Sequence, residues 1–267
     1  SFYIWHQSSS SLTKLIKLVI IQIKLVLSGG KMKHLTYHSL HQLTAFSPLF
    51  PINAYVYEEK EYLIVIDIGL NIFVKHIQKL VIKLNKPIKF IVLTHPHTDH
   101  IAGLDLLKQK FPDAQVIFSI RDQRLLNGDF SLDIDECQEK IKGGFKSIST
   151  EADYLTEDGD IIGNLTVIAT PGHTPGSISL YDANHKILIV GDALQTKGGL
   201  AIAGDKRNLF PFPALATWSN TIALESTKKI ATLPIKCLAT GHGKLLLQPD
   251  FQKAIDRLER KISEEKN

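Results

Sequence analysis

Thr94-His95-Pro96-His97-Thr98-Asp99-His100, directly after the apolar run Phe90-Ile91-Val92-Leu93, is the stretch on which the reading of this chain turns. It packs three imidazoles and a carboxylate into six residues at the exit of what reads as a buried strand. Neutral histidine is the commonest metal ligand, and several histidines beside a carboxylate suit zinc, iron or manganese better than calcium or magnesium. The stretch therefore predicts a transition-metal site.

Three later segments repeat the device of a single ligand-type side chain held by glycine where a strand stops. Pro171-Gly172-His173-Thr174-Pro175-Gly176 follows an apolar run at 165–170, and its prolines and glycines make a tight turn that presents one imidazole rigidly. Gly191-Asp192-Ala193 follows the run at 187–190, and Gly241-His242-Gly243 follows 237–240. A lone histidine beside glycine is usually a turn residue. The recurrence together with the dense first motif is what points to a shared site.

Between these segments the chain alternates β-rich runs with helical ones. Strands are predicted at 53–57 and 62–66, 90–93, 116–118, 165–169, 177–181, 186–190 and 236–239. Helices are predicted at 73–84, where Val74, Ile77, Leu80, Val81 and Leu84 share one face, and at 103–110, 214–231 and 249–263. The stretch 127–156, with Gly143-Gly144 and many charges, reads as a helical, partly mobile insertion. Two half-units of strands followed by helices imply packed sheets with helices outside. No repeat at solenoid spacing is present.

Composition limits the alternatives. With 267 residues, 44% hydrophobic and 22% charged, the chain can bury a large core and is neither disordered nor a multi-span membrane protein. Its only cysteines, Cys137 and Cys237, lie far apart, which leaves neither a disulfide framework nor a cysteine-based zinc site. The net charge of +4 is carried by Lys14, Lys17, Lys24 and Lys31 in the first 31 residues, which hold no Asp or Glu. The rest is neutral, so no nucleic-acid partner is expected.

Residues 1–31 read as a leader of doubtful origin. Lys17, Gln22 and Lys24 interrupt the apolar run that a signal peptide would need, and the sole methionine, Met32, follows Ser28-Gly29-Gly30-Lys31. Met32 is the expected start, with an amphipathic membrane-surface helix as the alternative. The first case implies a cytoplasmic protein, the second a membrane-associated or exported one, and neither includes a stable membrane span. Residues 32–267 are then expected to form one domain.

The ordered ligand set resembles the metallo-β-lactamase fold superfamily over about 53–242, the Asp67-Ile68-Gly69 element included. The resemblance implies an α/β fold, a four-layer αβ/βα sandwich of two packed mixed β-sheets with helices on the outer faces. It implies further that His95, His97 and His173 hold one metal, that Asp99, His100 and His242 hold a second, and that Asp192 bridges the two. Asp67 looks like the carboxylate that orients a ligand histidine. The cofactors expected are two divalent ions per chain, zinc by default, with iron or manganese also compatible.

Two ions about 3.5 to 4 Å apart can share a water, lower its pKa and clamp the attacking and leaving oxygens. The chain is thus expected to be an enzyme, a binuclear metallohydrolase using a metal-bridged hydroxide, with Asp99 both binding metal and relaying the proton. The superfamily spans several substrate classes. Zinc β-lactamases generally lack a carboxylate at the bridging position, so Asp192 argues against β-lactams. Only 25 residues follow His242, too few for the helical region with which glyoxalase-II-type thioesterases recognise glutathione. Small esters, lactones or thioesters remain, with an iron-dependent persulfide dioxygenase and a phosphodiesterase or nuclease as alternatives. Residues 209–213 and Trp218 offer aromatic walls, although Trp218 taken singly reads as core. Gly198, Gly199 and Gly204 would let a loop move, and Lys206 and Arg207 read as surface charge. The expected partner is a small-molecule substrate, and the oligomeric state stays open.

Overall fold

Alternation along the strands sorts the apolar side chains into three layers of core. In the strand Leu63–Ile66, Leu63 and Val65 point one way and Ile64 and Ile66 the other, and all four are buried. A strand buried on both faces must lie between two layers. The computed structural model, which describes residues 32–265, places that strand inside a seven-stranded sheet. The expectations for residues 1–31 lie outside the described residues.

The first sheet runs in chain order: β1 (Lys33–Tyr37), β2 (Leu40–Ala45), β3 (Ile52–Glu58), β4 (Leu63–Ile66), β5 (Ile88–Val92), β6 (Gln115–Ser119) and β7 (Tyr154–Thr156). Its first four strands form an antiparallel meander, and β4 to β7 pair in parallel. The second sheet is built from β8 (Ile161–Ile162), β9 (Leu165–Ala169), β10 (Ile178–Asp182), β11 (Ile187–Ile189), β14 (Cys237–Ala239) and β15 (Leu246–Leu247), in the order β15-β14-β11-β10-β9-β8. A short hairpin, β12 (Leu194–Gln195) and β13 (Ala201–Ile202), stands apart.

The sheets pack face to face through Tyr55, Ile64, Ile66 and Val92 on one side and Val167, Leu180, Ile189 and Ala239 on the other. On the outer face of the first sheet, Val65, Ile91 and Val116 meet α1 (Asn71–Leu84) and α3 (Leu104–Lys110) through Phe73, Ile77 and Leu104. On the outer face of the second, Leu188 and Leu238 meet α6 (Asn220–Ala231) and α7 (Gln252–Glu265) through Leu224, Ile255 and Leu258. This is the expected αβ/βα sandwich.

Three predicted elements differ. The helix predicted at 103–110 has a companion, α2 (Thr98–Ile101), which begins inside the histidine motif. The helix predicted at 214–231 is broken into α5 (Phe212–Leu215) and α6, because the amides of Trp218 and Ser219 turn aside to donate to the carbonyls of His173 and Gly172 at 3.0 and 2.9 Å. The stretch predicted as a helical insertion at 127–156 holds no helix: α4 (Ile120–Leu126) ends before it and β7 closes it. Its Asp and Ser side chains compete with helical hydrogen bonding, and its glycines lose the most backbone entropy in a helix. Here Arg124 grips Asp129 and Asp133, Arg121 grips Glu136, and Asp105 accepts the amides of Ser149 and Thr150. No described helix is long and apolar enough to cross a membrane.

Candidate metal centre

β4 and β5 run parallel, as do β11 and β14, and β9 shares the direction of β11 because β10 is antiparallel to both. The loops leaving β9, β11 and β14 therefore open on one edge of the second sheet, and those leaving β4 and β5 on one edge of the first. Hydrogen bonds stitch these edges together: Ile178 N donates to Thr94 O, Asn53 N to Gly241 O, and Tyr55 Oη to Thr240 O at 2.6 Å. Gly241 is required at the junction, since a Cβ there would overlap Asp192 Oδ1.

The structure brings all seven expected ligands together, in three overlapping groups that could each hold an ion: His95, His97 and His173; His95, His100 and Asp192; Asp99, His100 and His242. Within each group the ligand atoms lie within 4.8 Å of one another. Asp192 touches both halves, with Oδ2 3.6 Å from His173 Nε2 and 3.2 Å from His242 Nε2, and Oδ1 3.3 Å from His100 Nε2. All are buried except Asp99, whose side chain is 33% exposed and lies 3.2 Å from His242 Nε2.

Each of the five imidazoles spends one nitrogen on an acceptor outside the cluster. Asp67 accepts from Thr94 N, Thr94 Oγ1 and His100 Nδ1 at 2.8, 2.8 and 2.7 Å. Thr94 Oγ1, having donated to Asp67, is free to accept from His95 Nδ1 at 3.1 Å. Thr217 Oγ1 likewise donates to Pro213 O and accepts from His173 Nδ1. His242 Nδ1 donates to Pro51 O, and His97 Nε2 to Lys142 O. With the outer nitrogens so engaged, the other nitrogen of every ring points inward, the orientation metal-ligating histidines need.

Three of the inward atoms are not satisfied by the protein itself. His95 Nε2, His100 Nε2 and Asp192 Oδ1 are buried with no hydrogen-bond partner, and His97 Nδ1 faces His173 Nε2 at 2.9 Å. Buried polar atoms converging without partners cost free energy unless a cation joins them. The donor set of imidazoles and carboxylates without thiolate fits zinc, iron or manganese.

Electrostatics divides the cluster. Burial pushes His95, His97 and His173 below the usual imidazole range, His173 to about 3, so these three stay neutral. Burial acts the same way on His100 and His242, but the carboxylates of Asp192, Asp67 and Asp99 overcome it and raise both, His242 to about 10. Asp99 and Asp192 resist burial through His242 and His100 and are held below the ordinary carboxylate range. Three carboxylates thus surround the His100–His242 half, where positive charge is most favoured.

Asp67 itself has φ +57, a left-handed conformation that costs a non-glycine residue free energy and recurs at functional sites. It turns the chain at the end of β4 so that the carboxylate reaches both Thr94 and His100.

A cavity of about 600 Å³ opens over the ligands. Phe212 and Pro213 line it as expected, whereas Phe210 is fully buried behind them and Leu209 is 79% exposed. Trp218 is core: it packs with Leu125 and Ile141, and its indole N–H donates to Glu139 O. Lys206 is exposed and Arg207 donates to Gly198 O, and neither lines the cavity. Sequence reasoning missed Thr94, Thr217, Pro51, Lys142 and the Phe46–Phe50 wall. Thr94 sits within the decisive motif, so its hydroxyl was visible there. The carbonyl acceptors carry no side-chain signal, and Thr217 and Phe50 are joined to the site only by folding.

The metallo-β-lactamase superfamily model matches residues 47–242. Among curated proteins, YobT of Bacillus subtilis (strain 168) is 47% identical over 214 residues, covering 80% of this chain and 92% of that one. The probable metallo-hydrolase YflN of the same organism is 31% identical, over 66% of this chain and 72% of its own. A hydroxyacylglutathione hydrolase of Yersinia pestis is 33% identical over 121 residues, which are 45% of this chain and 39% of that enzyme. Among solved structures, the DIM-1 metallo-β-lactamase superposes with a TM-score of 0.66 at 16% identity, over 86% of this chain and 98% of its own.

Proposed function

Because this chain belongs to the metallo-β-lactamase superfamily, we propose that it is a binuclear metallohydrolase of small esters, lactones or thioesters. His95, His97 and His173 would hold one ion, Asp99, His100 and His242 the other, with Asp192 between them. The observation that carries this reading is the orientation of the five imidazoles, each anchored outward through one nitrogen and presenting the other to a common interior. When bound, two divalent ions lower the pKa of a water and polarise the scissile carbonyl.

The protein's own groups do the rest. Asp192 spans the two half-sites, and Asp67 holds His100 through one oxygen while fixing Thr94 through both. Asp99, the one half-open ligand, faces the cavity and is the group placed to accept a proton from the attacking water and pass it to the leaving group. The apolar walls exclude water from the reacting carbonyl. The acyl carbon–heteroatom bond breaks, water oxygen bonds to that carbon, and the products are a carboxylic acid and the alcohol or thiol.

Thioester hydrolysis is supported by the hydroxyacylglutathione hydrolase relatives, 33% identical over 121 residues. A phosphodiester or nucleic-acid substrate is disfavoured, since Lys146 is the one cationic side chain, histidines aside, that lines the cavity. A persulfide dioxygenase would use three ligands for one iron, and here the second set is complete as well.

The test is metal analysis after reconstitution, followed by a panel of lactones, thioesters, β-lactams and phosphodiesters. Close to two ions per chain and turnover confined to carbonyl substrates are expected, with loss of turnover in Asp192→Ala. A protein that takes up no metal refutes the proposal.

A further inference from the structure

The cavity over the candidate metal centre is lined mostly by apolar side chains. On the side of His242 stands an aromatic wall that begins at the ligand itself: the Phe50 ring meets His242 at 5.5 Å, Phe212 at 4.8 Å and Phe210 at 5.0 Å, all edge-on. Phe46, Ile52, Pro213 and Ala216 extend this surface, and Leu70 and Ile72 close it from the start of α1. Phe210 is fully buried and backs the wall, while Phe50 and Phe212 are half-buried and face the cavity.

Leu49 and Leu215 are 55% and 56% exposed, and each adjoins a lining residue in the chain, Phe50 and Ala216 respectively. Exposed large apolar side chains next in the chain to residues that line an apolar cavity suit contact with an apolar group of a ligand. Polar lining away from the histidines and carboxylates is sparse, namely Asn71, Thr98 and Lys146, and Lys146 Nζ donates to Ala102 O and forms no ion pair among the described residues.

We infer that the substrate is an acyl ester or thioester with an extended apolar arm, and that this arm lies along the Phe50–Phe212 wall towards Leu49 and Leu215. The inference rests on the hydrolase reading and sharpens its substrate class. A short polar acyl group would leave that wall wet, and a polyanionic one would meet only Lys146. Each methylene laid on the wall is removed from water, so affinity rises with chain length by about threefold to fourfold per methylene until the wall is covered.

The experiment has a binding arm and a turnover arm. Straight-chain carboxylates of increasing length are titrated calorimetrically into the metal-loaded protein, and p-nitrophenyl esters of the same acids are assayed for kcat/KM. Binding constants and kcat/KM are expected to rise together with chain length. Phe50→Ala and Phe212→Ala are expected to flatten both slopes while a thermal melt shows each variant folded. Binding independent of chain length overturns the inference, whatever the turnover. Turnover equal for all lengths overturns it and leaves the hydrolase reading intact. Length-dependent binding without hydrolysis of any ester or thioester upholds the apolar arm and removes the hydrolase reading.

Discussion

His97 Nδ1 and His173 Nε2 face each other at 2.9 Å across two loops 76 residues apart, and each ring donates its other N–H away from the contact, to Lys142 O and to Thr217 Oγ1. Two lone pairs in that position repel unless positive charge lies between them. This one contact ties the end of β5 to the end of β9 and makes the folded state responsive to a cation.

Zinc is therefore expected to stabilise the protein. At a free concentration a thousandfold above Kd the gain is about 4 kcal/mol, a rise in melting midpoint of roughly 8–16 °C for a chain of this size. The check is a melt with and without a chelator, in which His97→Ala and His173→Ala lose most of the difference. An unchanged midpoint on chelation argues against an ion at this contact.

Asp67→Asn keeps the size of the side chain but cannot accept from both Thr94 and His100 as a carboxylate does. Its loss is expected to cost about 10- to 100-fold in metal affinity or turnover. Competition with a chromogenic chelator measures this, and an affinity within twofold of the parent would contradict it.

Gly143 has φ +113, and a Cβ there would overlap His97 Nε2. Gly143→Ala must break the bond from His97 to Lys142 O or shift the loop. A destabilisation of about 1–3 kcal/mol is expected from the strained φ alone, with weakened metal binding at the His97 half. Urea unfolding and metal titration read the two effects separately, and Gly144→Ala, whose Cβ would come no nearer than 3.7 Å to Thr98 Oγ1, serves as the control.

Asp122 is buried beneath the His173 turn, where it accepts from Thr174 Oγ1 and Gly176 N at 2.5 and 2.7 Å. Burial raises its pKa to about 7, against the pull of those two bonds and of Arg121, with Glu136 adding to the rise. The folded pKa thus exceeds the unfolded value of about 3.9. The contribution to stability is complete below pH ~4 and is lost as pH climbs towards 7, because the unfolded chain releases this proton first. Asp122→Asn imitates the neutral form, so its stability relative to the parent is expected to improve between pH 5 and 7. Denaturation midpoints at several pH values test this, and a constant difference across the range would refute it.

Much of this architecture was legible in the residues. The strands at 62–66 and 90–93 are near-continuous apolar runs because both of their faces are buried, and local composition reports that directly. The seven candidate ligand residues that the fold brings together were legible for a similar reason: each sits in a short segment whose glycines, prolines and strand boundary are contiguous in sequence. The stretch 127–156 misled because its order comes from partners elsewhere, Asp105 and Trp218 among them, and the predicted helix at 214–231 broke because Trp218 and Ser219 bond to the His173 loop.

The sequence by itself carried the candidate ligand residues, most of the strands and the ordered motifs by which the chain resembles its superfamily, because apolar runs and loop composition are properties of neighbouring residues. Tertiary structure alone decided which nitrogen of each histidine turns inward, since that depends on Pro51 O, Lys142 O and Thr217 Oγ1 arriving from remote loops. It also decided the character of the cavity, where Phe50 and Phe212, 162 positions apart, meet in a T-shaped contact and Phe50 packs against His242.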